Sequence, residues 1–246
     1  VANPITSRIQ MIQATFDGTR YVYQKQSDFL TSRDPKFRPV AIEFGPDGCL
    51  YVTDWYNKII SHNEVPRNHP ERDKIRGRIW RIRHQSQPHP DSVDIKSLAG
   101  DDLIQRLGDD NAAVAKFAWQ EIVDRGASEL APKLIQIVDS STLPDDQRLG
   151  ALWALEGLQP IPVPTLVSLA ADENPNIRHE AARIAGVQTM SSDEFISIAS
   201  PLIDDPSPRV RAAIGDALRR VKHVDNDVVS LMVRLGKASA PGDVWA

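Results

Sequence analysis

The sequence predicts a mainly α chain in which a β-rich segment, residues 1–86, precedes a helical solenoid, residues 87–246. Three observations predict this division. Strand-like runs separated by turn residues are dense in the first part. Paired apolar helices recur at a nearly constant interval in the second part. The charge also changes, because residues 1–86 carry 14 Lys and Arg against 9 Asp and Glu, whereas residues 87–246 carry 15 against 24.

The first predicted strands form a hairpin in the middle of the β-rich segment. Val40–Phe44 and Cys49–Thr53 are short apolar runs, and the turn sequence Gly-Pro-Asp-Gly at 45–48 separates them. Pro presets φ for a turn and Gly accepts positive φ, so this pattern predicts a β-hairpin. Arg78–Arg83 intersperses basic residues with the β-forming residues Ile and Trp, which predicts a third strand next to the hairpin.

A second hairpin is predicted nearer the start of the sequence. Ser7–Ala14 and Thr19–Gln24 are strand-like, and Asp17-Gly18 provides the turn between them. The segment then has about five strands, which leaves open strand edges. We therefore expect the helical part, a second copy or further strands outside this sequence to cover these edges.

The candidate ligand-binding residues lie on or beside the loop of residues 54–76. Loops of this length are uncommon in compact domains and are often functional. Its polar residues, with one Arg before the hairpin, would shape a substrate or metal pocket. The alternative is that Asp54 and Asn57 bond to nearby backbone groups and that His62 only packs. The candidate set is Arg38, Asp54, Trp55, Asn57, His62 and Arg76.

No catalytic or metal-binding signature stands out. A metal site at His62, His69 and Asp73 is the weaker interpretation, because no zinc-type spacing is present. We therefore predict no metal and no identifiable catalytic residue. The aromatic residues Trp55, Tyr56 and Trp80 admit a sugar platform, but packing in the core is the favoured interpretation.

The lone cysteine and the charge distribution argue against several kinds of covalent link and binding partner. Cys49 has no partner for an internal disulfide, is expected to be a small buried core residue, and rules out a CxxCH haem attachment in this chain. Acidic residues interrupt the basic stretch between Lys58 and Arg83, and the helical part is acidic, so no nucleic-acid partner is predicted. No apolar run is long enough to predict a membrane segment.

The helical part repeats four times. Its corresponding positions are Ala115, Arg148, Arg178 and Arg211, spaced by 33, 30 and 33 residues. An acidic turn precedes each of these helices, so the arginines are predicted to bridge to the acidic turn of the neighbouring repeat; ligand binding by them is the alternative. Asp225–Leu235 opens a fifth pair, which is truncated. Paired helices at this period predict an α-solenoid of four to five pairs.

Two resemblances follow from these motifs. The D-x-x-[VI]-R pattern resembles HEAT repeats of the short bacterial kind. The strings SRDPKFRPVAIEFGPDG, YVTDWYNKIISHNEVPRNHPERD and RGRIWRI resemble the propeller of large haem-binding "membrane-bound dehydrogenase" proteins of planctomycetes and verrucomicrobia. In that family a sorbosone/glucose dehydrogenase-like β-propeller precedes HEAT repeats and a cytochrome-c-like domain. The resemblance covers about residues 1–85.

The resemblance implies that residues 1–86 are the closing, C-terminal part of a β-propeller and that the chain is a piece of a longer protein. It implies a periplasmic or exported location. It also implies quinone or calcium in the propeller and haem c elsewhere in the parent protein, with no cofactor in this chain.

Two functions from different classes remain open. The favoured one is an interaction scaffold, whose solenoid binds other domains of the same parent protein or a protein partner on its concave surface. The alternative is part of a periplasmic haem-linked sugar or polyol dehydrogenase, in which the loop of residues 54–76 lines the substrate or cofactor site. The scaffold is favoured because the sequence shows no complete active site, and we expect the isolated chain to be inactive.

Overall fold

The computed structural model describes residues 1–61, 64–86, 93–221 and 224–238. Its contacts divide the chain into two compact units. The first comprises Val1–Thr15 and Tyr21–Val93, and the second comprises Phe16–Arg20 and the residues from Asp94 onward. The first unit is β-rich and the second is dominated by paired helices, as the sequence predicts.

The described β-strands form two small antiparallel sheets of three strands each, with orders β1-β2-β3 and β4-β5-β6. Their bounds are Ala2–Asn3 (β1), Arg8–Asp17 (β2), Arg20–Thr31 (β3), Pro39–Phe44 (β4), Leu50–Asp54 (β5) and Arg78–Ile82 (β6).

The second hairpin strand of the first sheet is longer than predicted. The sequence predicts an end at Gln24, because the residues that follow are polar, yet β3 continues to Thr31. Side chains of β2 and β3 pair in this extension. Arg8 Nη1 lies 2.7 Å from Asp28 Oδ2, and Gln26 Nε2 donates to Gln13 Oε1 at 3.2 Å. These cross-strand pairs stabilise the extension of β3, although the polar sequence of the extension does not itself favour a strand.

The turn of the second sheet is fixed by a buried carboxylate. Gly48 has φ of 69°, the left-handed region that favours glycine. Asp47 accepts hydrogen bonds from Cys49 N at 3.1 Å, Tyr51 Oη at 2.9 Å and Arg81 Nε at 2.7 Å. Burial alone would raise the pKa of Asp47, but these bonds outweigh it and hold that pKa at about 2. Cys49 is fully buried beside it, as predicted.

The helices of the described part confirm the predicted repeat. Helices α2, α4, α6 and α8 begin 33, 30 and 33 residues apart, which matches the sequence spacing. The bounds are Gly100–Gln105 (α1), Ala112–Asp124 (α2), Ala131–Val138 (α3), Asp145–Leu158 (α4), Val163–Ala170 (α5), Pro175–Val187 (α6), Ser192–Ala199 (α7), Pro208–Leu218 (α8) and Asn226–Ala238 (α9).

Capping residues explain where several helices begin and end. Asn111 and Asn174 accept hydrogen bonds from the first-turn amides of α2 and α6. Ser191 forms a capping box with Glu194 at the start of α7. Helix α7 ends at Ala199, two residues before a proline at 201, which has no backbone N–H with which to continue the helical hydrogen bonds.

The helices pack in two layers around an apolar core. Helices α2, α4, α6 and α8, the second helix of each pair, contact their neighbours in one layer; α5, α7 and α9 do so in the other. Close approach needs a small residue at Gly186, where an added Cβ would lie 2.8 Å from Ala217 Cα. The fully buried side chains between the layers include Leu134, Leu152, Leu155, Leu166, Ile177 and Ile198.

Two of the predicted arginine bridges are confirmed. Arg148 pairs with Asp172, the acid of the next repeat's turn. Arg178 donates from Nε and Nη2 to the two carboxylate oxygens of Asp205, at 2.6 and 3.0 Å. Arg211 donates to the carbonyl oxygen of Asp205, in the turn before its own helix. None of the helices in the described part combines the length and apolarity that a bilayer crossing requires.

Candidate functional site

Asp54, the central residue of the predicted ligand-binding set, lies at the end of β5. Its Oδ1 accepts hydrogen bonds from the backbone amides of Arg38 at 2.8 Å and Tyr56 at 2.9 Å. Its Oδ2 accepts from Arg78 Nε at 2.8 Å and Trp80 Nε1 at 3.0 Å. The carboxylate thus ties the start of β4, the loop after β5 and strand β6 together.

The environment of Asp54 keeps it ionised. Its side chain is 0% exposed. Burial alone would raise the pKa of Asp54, but the hydrogen bonds from Arg38 N–H, Trp80, Tyr56 N–H and Arg78 outweigh this effect and lower the pKa. A carboxylate with four donors and a low pKa is a poor general base, so its geometry fits a structural role.

Arg38 and Asn57 join the same buried network. Arg38 donates from Nε to the carbonyl oxygen of Asn57 at 2.9 Å and from Nη1 to Ser7 Oγ at 2.6 Å. Asn57 donates from Nδ2 to the carbonyl oxygen of Asp73 at 2.8 Å and accepts from Ile59 N at 3.2 Å. These are the side-chain-to-backbone bonds of the alternative interpretation. Ligand binding by the set stays a prediction.

The side chains of Trp55 and Arg76, two further members of the predicted set, are exposed and do not join this buried network. Trp55 is 38% exposed and donates its backbone N–H to the carbonyl oxygen of Arg38. Arg76 is exposed, with Nε 2.7 Å from Asp73 Oδ2. His62 falls outside the described residues.

The core-packing interpretation of the two tryptophans is wrong. Trp80 is 44% exposed and Trp55 is 38% exposed. A three-stranded sheet leaves much of its surface open, and their strand and loop positions place both indoles there. Among the described residues, no group of three or more His, Cys, Asp or Glu side chains is placed to hold a metal ion.

A second candidate site lies on the helical repeats, on the exposed side of α2, α4 and α6. The rings of Trp119 and Trp153 meet edge to face with centroids 6.5 Å apart. Trp153 is 39% exposed, and its Nε1 donates to Glu180 Oε2 at 3.0 Å. We call Trp119, Trp153, Glu156, Glu180 and Arg183 the second-helix face.

Arg183 is held between two carboxylates of this face. Its Nη1 donates to Glu156 Oε1 at 3.0 Å and its Nε to Glu180 Oε2 at 2.8 Å. The hydrogen bond with Glu156 is the largest of the effects that raise the pKa of Arg183. Burial alone would raise the pKa of Glu180, but bonds with His179, Trp153 and Arg183 outweigh it and hold this pKa at about 2.

The second-helix face continues into a cavity between α6 and α8. The cavity has a volume of about 220 Å³, and its ionisable lining residues are His179, Arg183, Asp216 and Arg220. Tryptophan and arginine are enriched among the hot-spot residues of protein interfaces, and this face holds an exposed indole beside a fixed guanidinium. The arrangement is therefore suited to contacting another protein surface.

Sequence reasoning missed this face. One signal in the sequence could have indicated it. Tryptophan recurs on the second helices of consecutive pairs, at positions 119 and 153, and the distance between these positions is close to the repeat spacing. The partners of Trp153 were not visible, because Glu180 is 27 residues away on the next pair.

The pKa of Glu180 predicts a pH dependence of stability. Its folded-state pKa of about 2 is below its ordinary value of 4.5, so the stabilisation is full above pH 4.5 and is lost as the pH falls towards 2. The difference corresponds to roughly 3 kcal/mol. We expect Glu180→Gln to lower the free energy of unfolding at pH 7 and to match the unmodified chain near pH 2. Urea unfolding between pH 2 and pH 7 measures the free energy of unfolding of both proteins. If the difference between the two free energies did not change with pH, the prediction would be wrong.

Comparisons with known sequences agree with the two-part organisation. Residues 1–86 match a domain of unknown function (DUF7133), and residues 163–244 match HEAT repeats. No curated protein and no solved structure matches the chain. The HEAT interpretation of the helical part is confirmed, and the chain carries a DUF7133 domain followed by HEAT repeats.

Proposed function

We propose that the chain is an interaction scaffold and that its second-helix face binds a protein, either another domain of the same parent protein or a separate partner. HEAT repeats imply protein interactions, because stacked helix pairs create an extended surface larger than any single pair offers. The observation that carries the proposal is Trp153, an indole 39% exposed yet fixed by its hydrogen bond to Glu180.

The physical argument rests on preorganisation. A side chain that is already held in one orientation loses little conformational entropy when a partner covers it. Trp153 is held by Trp119 on one side and Glu180 on the other, and Arg183 is held by two carboxylates. A partner that covers this face therefore buries a large aromatic surface while the charges beside it keep their hydrogen bonds.

The finer predictions from the resemblance remain proposals. These are the propeller origin of residues 1–86, the periplasmic or exported location, and the haem-linked dehydrogenase with its quinone, calcium or haem c. The bonding of Arg38, Asp54 and Asn57 to one another and to nearby backbone groups supports a structural role for these three side chains over a substrate site formed by them.

A site-specific photo-crosslinker tests the proposal. We would place a photoreactive aromatic residue at Val187, which is 55% exposed at the end of α6 and lines the cavity beside Arg183, and separately at Gln136, an exposed position on α3. In an extract of the cells that make the protein, position 187 is expected to give a discrete adduct that position 136 does not. Arg183→Glu is expected to suppress the adduct. Equal adducts from both positions, or none from position 187, would contradict the proposal.

A further inference from the structure

A charged cavity lies beside the loop that follows β5, wholly within the first unit. Pro70–Arg76 lines it together with Lys36 and Lys58, and its volume is about 480 Å³. Cavities of about 300–1,000 Å³ are typical of small-molecule sites. Its charged lining comprises five cations and two carboxylates, namely Lys36, Lys58, Arg72, Lys74, Arg76, Glu71 and Asp73.

Both carboxylates of the cavity are already paired. Glu71 bonds to Lys58. Asp73 Oδ2 lies 2.7 Å from Arg76 Nε, and its Oδ1 accepts hydrogen bonds from the backbone amides of Ile75 at 3.3 Å and Arg76 at 3.1 Å. These acids form ion pairs with Lys58 and Arg76, and five cations against two carboxylates leave the lining with an excess of three positive charges.

Three cations of the lining have no carboxylate within salt-bridge distance in the described part of the chain: Lys36, Arg72 and Lys74. Arg72 is fixed by main-chain carbonyl oxygens, at 2.6 Å from Ser61 and 2.8 Å from Val65. Carbonyl groups satisfy its N–H donors but do not neutralise its charge. The cavity thus holds uncompensated positive charge, part of it on a rigid guanidinium.

Tyr56 contacts two cations of the cavity lining, Lys36 and Arg76, although it is not a lining residue itself. Its φ of 52° is rare for an aromatic residue, and backbone strain of this kind clusters at ligand sites. Its amide donates to Asp54, which holds the strained conformation. The ring lies 4.9 Å from Lys36 Nζ and 5.7 Å from Arg76 Cζ, so cation–π attraction keeps both cations at the cavity.

We propose that this cavity binds a small anion that carries at least two negative charges on phosphate or carboxylate groups. Lys36 and Lys74 contact the anion, and the fixed charge of Arg72 attracts it. An anion of this class compensates the three unpaired cations and fits the volume. This site is separate from the second-helix face and does not depend on the scaffold proposal.

Isothermal titration calorimetry on the full chain tests the proposal, with pyrophosphate, citrate and neutral glucose as probes at low and at physiological ionic strength. We expect pyrophosphate or citrate to bind, glucose not to bind, and Lys36→Met/Lys74→Met to weaken binding by about tenfold. The anion that binds with the higher affinity shows whether the cavity prefers phosphate or carboxylate groups.

The matched control is Lys25→Met/Lys96→Met, which removes two exposed lysines elsewhere and changes the net charge equally. It is expected to leave the affinity within about twofold of the unmodified chain. Lys25, Lys74 and Lys96 are exposed and Lys36 is half-buried, and none of the four has a carboxylate within salt-bridge distance in the described part of the chain, so both variants should keep their melting temperatures. Absence of binding by both anions, or equal weakening in the two double variants, would overturn the proposal.

Discussion

Replacing Asp54 by alanine is expected to lower the free energy of unfolding of the β-rich unit by about 3–5 kcal/mol, the range for breaking a buried, hydrogen-bonded charge pair. The substitution removes the acceptor of four hydrogen bonds at once. Arg38 loses the acceptor for its backbone N–H in a buried position, and among the described residues Arg78 retains only Asp34 as a carboxylate partner. Strand β6 then loses its main side-chain link to β5.

Hydrogen exchange measured by mass spectrometry checks this prediction, because it reads the peptides of β4, β5 and β6 separately from the helices. Asp17→Ala is the control, since Asp17 is exposed and pairs only with Arg20; it should change stability by less than about 0.5 kcal/mol. Unchanged exchange in β5 and β6 of the Asp54 variant would show that this network does not stabilise the sheet. If the expected destabilisation is seen, loss of ligand binding in the Asp54 variant is explained by loss of the fold and is no evidence for a site.

Replacing Arg178 by alanine is expected to have a similarly large effect on the helical repeats, about 3–5 kcal/mol. Its guanidinium binds both oxygens of Asp205, whose side chain is 3% exposed. Without Arg178 this carboxylate remains buried with backbone N–H groups such as that of Ser207 as its partners. The same substitution also removes bonds to the carbonyl oxygens of Asp172 and Glu173, which fix the turn before α6.

Arg219→Ala is the matched control. Arg219 follows the last residue of α8, the helix next to α6, and forms an exposed ion pair with Asp216 of α8. Its expected change is below about 1 kcal/mol. Guanidinium unfolding followed by far-ultraviolet circular dichroism reports the helical repeats. If both arginine variants lose the same stability, the bridges between repeats contribute no more than surface pairs do.

Much of the fold could be predicted because local sequence patterns determine it. The 33-, 30- and 33-residue spacing appears again as the starts of α2, α4, α6 and α8. The Gly-Pro-Asp-Gly turn and its flanking runs became β4 and β5 with little change. The length of β3 could not be predicted, because pairing with β2 rather than its own pattern extends it.

The sites were harder to predict because they depend on residues distant in sequence. Asp54 could be singled out from the sequence as a loop carboxylate, but its burial and its partners Arg38, Arg78 and Trp80 depend on the sheet. The indole of Trp153 meets Glu180 only after α4 and α6 pack. Spacing rules describe one element at a time, whereas these networks join several.

The most direct test of the scaffold proposal is the affinity of the crosslinked partner, once purified, for the unmodified chain and for Trp153→Ala. Truncation of a central interface tryptophan typically costs about 2 kcal/mol or more, so we expect the Kd to rise by about 30-fold. Gln136→Ala on α3 should leave the Kd unchanged. An unchanged Kd for Trp153→Ala, in a variant that keeps its helical fold, would show that the partner does not bind the second-helix face.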